Sequence, residues 1–178
     1  KIVGSLGFVI AQKAIISADY EMSDFSKMEF DSPDNVYYNT VNPYMAENKL
    51  IAADFKKKHT VRLGAEYRVT DKFSVRLGYS YSSSPVKEEL ESATTDTGER
   101  ANVIYTAGTT TAYSIPKENS YYTAGFGYKK NFFFIDFAYV LNCQRENYYM
   151  YFDKSGLMSP VNLETKRHFA VCTVGLRF

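Results

Sequence analysis

The sequence predicts an all-β fold, a transmembrane antiparallel β-barrel built as a meander of about seven strands. Three observations predict it. Long segments alternate strictly between apolar and polar residues, the signature of strands with two different faces. Short turns take turns with long polar loops along the chain. The apolar faces carry no Lys, Arg, Asp or Glu through their spans, and the opposite faces hold the charges.

The composition agrees. The chain has 178 residues, with Lys+Arg 21 against Asp+Glu 20 and a formal net charge of +1. One domain is the default at this length, and the balance removes any case for nucleic-acid binding built on bulk charge. Aromatic residues make up 16%, with Tyr 16, Phe 13 and no Trp. Tyrosine favours strands and sites where an apolar body meets a wet edge. With only 2 Cys the chain is neither a disulfide scaffold nor a multi-cysteine zinc protein. No apolar run is long enough for a transmembrane helix. The mean hydropathy of −0.32 reads as soluble, but barrel strands hide their apolarity in alternation. The opening KIVGSLGFVIAQK has an apolar run without a small-residue cleavage site. Either a signal has been removed or the chain begins inside a longer protein.

The strands follow in order. Residues 1–10 and 14–28 flank the short turn Ala11-Gln12-Lys13; in the second, Ile16, Ala18, Tyr20 and Met22 oppose Ser17, Asp19, Glu21 and Ser23. In 59–69, Val61, Leu63, Ala65, Tyr67 and Val69 share a face against Thr60, Arg62, Gly64, Glu66 and Arg68. After the turn Thr70-Asp71-Lys72, residues 73–82 set Phe73, Val75, Leu77, Tyr79 and Tyr81 against Ser74, Arg76, Gly78 and Ser80. Residues 120–128 and 132–147 flank Lys129-Lys130-Asn131, with Tyr122, Ala124, Phe126 and Tyr128 on one apolar face and Phe133, Ile135, Phe137, Tyr139 and Leu141 on the next. The last strand, 166–178, places Cys172, Val174, Leu176 and Phe178 together. Long loops span about 31–57, 84–118 and 149–165, with Pro33, Pro85, Pro116 and Pro160 as turn chemistry. In the middle loop NVIYTAGTTTAYSI reads as a small hairpin outside the main sheet. No helical period is visible.

A soluble sandwich also alternates. Length separates the two, because these strands reach ten or more residues, as a tilted membrane strand requires, whereas soluble strands cluster near ~5–6. The strict exchange of short turns and long loops matches bacterial outer-membrane barrels, whose short turns are periplasmic. A charge on a lipid face costs roughly 2–4 kcal/mol near the midplane, which accounts for the charge-free faces. The inward ladder is then Asp19, Glu21, Arg62, Glu66, Arg68, Arg76, Asp136 and Arg177, with Gly64, Gly78, Gly125, Gly127 and Gly175 making room beside it. Counting back from the short turn pairs Glu66 with Arg76. Phe178 supplies an aromatic C-terminus of the kind read as an insertion signature. Seven is an odd count, whereas single-chain bacterial barrels have even counts. The expectation is the C-terminal half of a larger barrel, unless a strand is hidden in 31–57, where KLIAADFKKK is the best candidate.

These residues resemble a known family. RLGAEYRVTDKFSVRLGYSYSSSPV resembles the late hairpin of the FadL/TodX family of outer-membrane long-chain fatty acid and hydrocarbon transporters. YYTAGFGYKKNFFFIDFAYV is similar to the next hairpin, VGLRF to the closing strand, and SLGFVIAQKAIISADYEMSDFSKM to an earlier hairpin. The resemblance implies a 14-stranded barrel with an N-terminal plug, of which this chain supplies seven strands and no plug. It implies uptake of hydrophobic small molecules such as fatty acids across the outer membrane of a Gram-negative bacterium. Membrane lipid and a hydrophobic substrate are the implied partners. The alternative is a structural or scaffold barrel within a larger outer-membrane complex, with other envelope proteins as partners.

The remaining candidates read more plainly. His59 and His168 lack convergent partners for haem or metal and are expected to be polar rim residues preceding their strands. Cys143 and Cys172 lie on apolar faces; facing strand positions suit a disulfide poorly, so two small lipid-facing thiols are expected. No nucleophile–base–acid set is spaced for catalysis, so no enzyme, cofactor or metal is expected. The charged face reads as cross-strand ion pairs in preference to a selectivity lining.

Overall fold

The computed structural model describes residues 1–31, 42, 44–88, 105–106, 109–110, 113–149 and 160–176. Its elements are β1 (Ile2–Ile10), β2 (Ala14–Asp24), α1 (Met45–Asp54), β3 (Lys57–Arg68), β4 (Phe73–Ser83), β5 (Tyr105–Thr106), β6 (Thr109–Thr110), β7 (Tyr113–Lys130), β8 (Phe133–Tyr149) and β9 (Val161–Leu176). Seven of the strands form one antiparallel sheet in the order β1-β2-β3-β4-β7-β8-β9. Short hairpin turns dictate the pairs β1–β2, β3–β4 and β7–β8, and β2–β3, β4–β7 and β8–β9 pair antiparallel across long connections. Strands β5 and β6 form a separate two-stranded sheet, which is the small hairpin expected in the middle loop. The sheet is open, with β1 and β9 as its edges.

Register fixes which residues share a face. Tyr20 lies opposite Val61, Leu63 opposite Tyr79, Tyr79 opposite Tyr122, Tyr122 opposite Leu141 and Ile135 opposite Val174. Because side chains alternate strictly, one face of all seven strands is apolar along its middle, with Asp24, Lys57, Glu118, Arg145, Glu164 and Lys166 on that face toward the long-loop ends and Lys130 at the short-turn end. The other face carries Asp19, Glu21, Arg62, Glu66, Arg68, Arg76 and Asp136. Arg177 and Phe178 lie outside the described residues.

Three expectations need correction. Among the described residues, the segment 31–57 holds a helix where KLIAADFKKK is the candidate for a hidden strand. KLIAAD completes α1, and Ala46, Glu47, Leu50, Ala52 and Ala53 are good helix formers. Sequence periodicity missed it because its apolar residues are spread around the helix and mark no stripe. The Asn48 side chain pins the segment after β2 to this helix, accepting from Phe30 N at 2.8 Å and donating to Phe30 O at 3.0 Å. Beyond the helix, Lys87 N donates to Asp54 O and Lys56 N to Pro85 O, both at 2.8 Å. Second, β7 and β8 are longer than expected and β2 is shorter. Third, His59 and His168 lie within β3 and β9, on the apolar face, and do not precede their strands.

The sheet has almost no core of its own. Among the described residues Ile115, 5% exposed, is the one buried apolar side chain. Leu77 is 64% exposed, Val174 61% and Leu6 66%. A water-soluble sheet of this composition would bury one face against a second layer.

Candidate functional site

The charged face is built around Arg76. Its Nε donates to Glu66 Oε2 at 2.9 Å and its Nη1 to Asp136 Oδ1 at 2.9 Å. The Glu66 contact follows from the hairpin, since Glu66 and Arg76 are register partners. The turn closes with paired bonds, Thr70 N to Phe73 O at 3.1 Å and Phe73 N to Thr70 O at 3.3 Å. The Asp136 contact crosses an intervening strand. Arg76 lies opposite Gly125, and Asp136 lies opposite Gly127. A Cβ on Gly127 would sit 2.6 Å from Asp136 Oδ1 and 3.6 Å from Arg76 Nη1. Glycine is what leaves the guanidinium a path over β7.

A second group gathers on Glu21, which receives Lys1 Nζ at 2.8 Å and Arg62 Nη2 at 3.1 Å. Arg62 lies opposite Asp19 in register, yet its long side chain reaches diagonally to Glu21. Lys1 was not singled out in the sequence; only the β1–β2 register brings it there. Neutral pairs continue the same wall, Thr60 with Ser82 at 3.0 Å and Asn142 Nδ2 donating to Asn119 Oδ1.

The apolar face has its own order. The phenol of Tyr20 and Nδ1 of His59 share a hydrogen bond at 2.7 Å, and Tyr139 and His168 share one at 2.6 Å. Their rings lie 6.0 and 6.1 Å apart. Between them Tyr79 and Tyr122 pack at 5.2 Å. Nearer the short turns, Phe126 joins Phe73 at 6.0 Å and Phe137 at 5.4 Å. Along β4, Phe73 and Tyr79 are about 20 Å apart at the usual strand rise, with Val75 and Leu77 between them. The face is thus an exposed aliphatic band bordered by two aromatic lines.

Cys143 and Cys172 are free thiols. Cys143 pairs with Lys166 and Cys172 with Phe137, so the two cysteines are not register partners. Among the described residues no three His, Cys, Asp or Glu side chains are grouped to hold a metal ion, and no helix is long and apolar enough to cross a membrane, which says nothing of strands. No protein family, curated protein or solved structure matches the chain.

Proposed function

We propose that this chain is a segment of an outer-membrane β-barrel that takes up hydrophobic small molecules such as long-chain fatty acids. The observation that carries the reading is the exposed apolar face. It runs unbroken over seven strands, is bordered by aromatic lines, and stands opposite a charged face. That is the form of a barrel wall with aromatic girdles at its two interfaces. Lipid would cover Leu63, Leu77, Phe126 and Val174, and the ladder would line the interior. Away from the short turns the charges compensate one another, Arg76 with Glu66 and Asp136, and Glu21 with Lys1 and Arg62. A compensated wall suits a conduit for apolar cargo better than an ion-selective pore, which needs a ring of one sign.

Strands β1 and β9 run in the same direction, because an odd number of antiparallel strands separates a like-directed pair of edges. Closing the ladder antiparallel therefore takes an odd number of further strands. The open edges also favour a scaffold reading, in which other envelope proteins meet this sheet.

Uptake of radiolabelled oleate by cells with and without the gene separates the readings. Slower oleate entry with unchanged entry of a small hydrophilic solute is expected for the transporter. Equal oleate entry in both strains would sink it, and co-purifying envelope proteins would then favour the scaffold.

A further inference from the structure

We infer that a hollow at the short-turn end of the charged face is a binding site for a phosphate group. The hollow encloses about 680 Å³ between the β3–β4 and β7–β8 turns. Five cations line it, Arg68, Lys72, Arg76, Lys129 and Lys130, against three carboxylates, a surplus of two positive charges. Two of those carboxylates, Glu66 and Asp136, are already engaged by Arg76. Only Asp71 remains to answer the other four cations. Among the described residues Arg68, Lys72, Lys129 and Lys130 form no ion pair.

The fold assembles this cluster from two distant turns. Lys129 N donates to Lys72 O at 2.8 Å, which clips the turns side by side. Four cations answered by a single carboxylate repel each other, and that repulsion is relieved by a bound anion. A phosphate suits the set better than a single carboxylate. It carries up to two negative charges and several terminal oxygens, enough to take one Arg fork and several Lys point charges together. Phe132 lies at the lip and is 62% exposed, giving an apolar contact for whatever the phosphate is attached to. The group could belong to a lipid headgroup or to a free phosphate. The lipid source rests on the membrane reading above; the phosphate site does not.

The test uses the folded chain in micelles of a neutral sugar-headed detergent, with phosphorus NMR titrations of inorganic phosphate and of dodecyl phosphate. Both probes are expected to bind, to compete, and to weaken with added sodium chloride. The Lys129→Gln/Lys130→Gln double variant is expected to weaken both about tenfold. Lys13→Gln, on the β1–β2 turn outside the hollow, is expected to change neither. Loss of dodecyl phosphate binding alone, with inorganic phosphate never binding, still supports the site and assigns the source as a lipid headgroup. Native affinity in the double variant, or an equal loss in Lys13→Gln, overturns it. Should the double variant not fold, Lys129→Arg/Lys130→Arg serves in its place: retained binding is expected, and lost binding overturns the charge argument. A chain that binds inorganic phosphate but refuses to insert into vesicles would remove the membrane reading and leave this site standing.

Discussion

Arg76 and Asp136 are bridged at 2.9 Å although a whole strand, β7, lies between their own strands. The same guanidinium holds Glu66 at 2.9 Å on the other side. One cation therefore ties β3, β4 and β8 together over the glycines of β7. The side chains remain part-exposed, 49% for Arg76, 36% for Glu66 and 40% for Asp136, so screening keeps the individual bonds modest.

Replacing Arg76 tests that tie. Arg76→Ala leaves two carboxylates without a cation and is expected to cost about 1 kcal/mol. Arg76→Glu puts three acids together and is expected to cost about 2 kcal/mol, since like charges on a sheet repel. Urea unfolding of the chain refolded in vesicles reads both. If the chain forms a compensated conduit, Arg76→Glu shifts stability more than ion preference. A large conductance whose cation preference reverses in this variant would favour the pore instead.

Gly127 supplies a steric test of the same bridge. In Gly127→Ala the new methyl meets Asp136 Oδ1 at 2.6 Å, and the carboxylate must move away from Arg76. A loss of about 1 kcal/mol is expected, and it should shrink in an Asp136→Ala background. Gly4→Ala is the control, because nothing lies within 4 Å of its added Cβ. Equal effects at the two glycines would deny Gly127 its special role.

Leu77 tells lipid from water. It is 64% exposed in the middle of the apolar face. In water, Leu77→Arg would be within about 0.5 kcal/mol of neutral. Facing acyl chains, it is expected to cost roughly 2–4 kcal/mol in vesicle-folding equilibria. Ser80→Arg, on the opposite face, should cost far less.

The Tyr–His pairs are open to a smaller test. Tyr139→Phe keeps the ring but removes the hydroxyl bonded to His168 at 2.6 Å. A loss of about 1 kcal/mol is expected, a typical net value for one hydrogen bond. Tyr122→Phe serves as the comparison, its ring packed on Tyr79. The same loss in both would mean that the hydroxyl bond to His168 contributes nothing.

Much of this was legible in the residues. Val61 to Val69 alternate without error, so the strand and its two faces follow from the period alone. The pairing of Glu66 with Arg76 follows from a hairpin turn too short to permit another register. Helix α1 was not legible, because a short helix docked at the loop end by Asn48 and Asp54 needs no apolar stripe to mark it.

The sequence by itself determined the seven strands, their two faces and the contacts within each short hairpin, because alternation and turn length are local. The tertiary structure decided what crosses the long connections. The register of β2 against β3 places His59 beside Tyr20 and Arg62 beside Glu21. The alignment of β4, β7 and β8 carries Arg76 over glycine to Asp136 and brings Lys72 against Lys129. No local pattern encodes those neighbours. A long loop leaves strand offset free, and it is the packing and hydrogen bonding of whole strands that select one register from many.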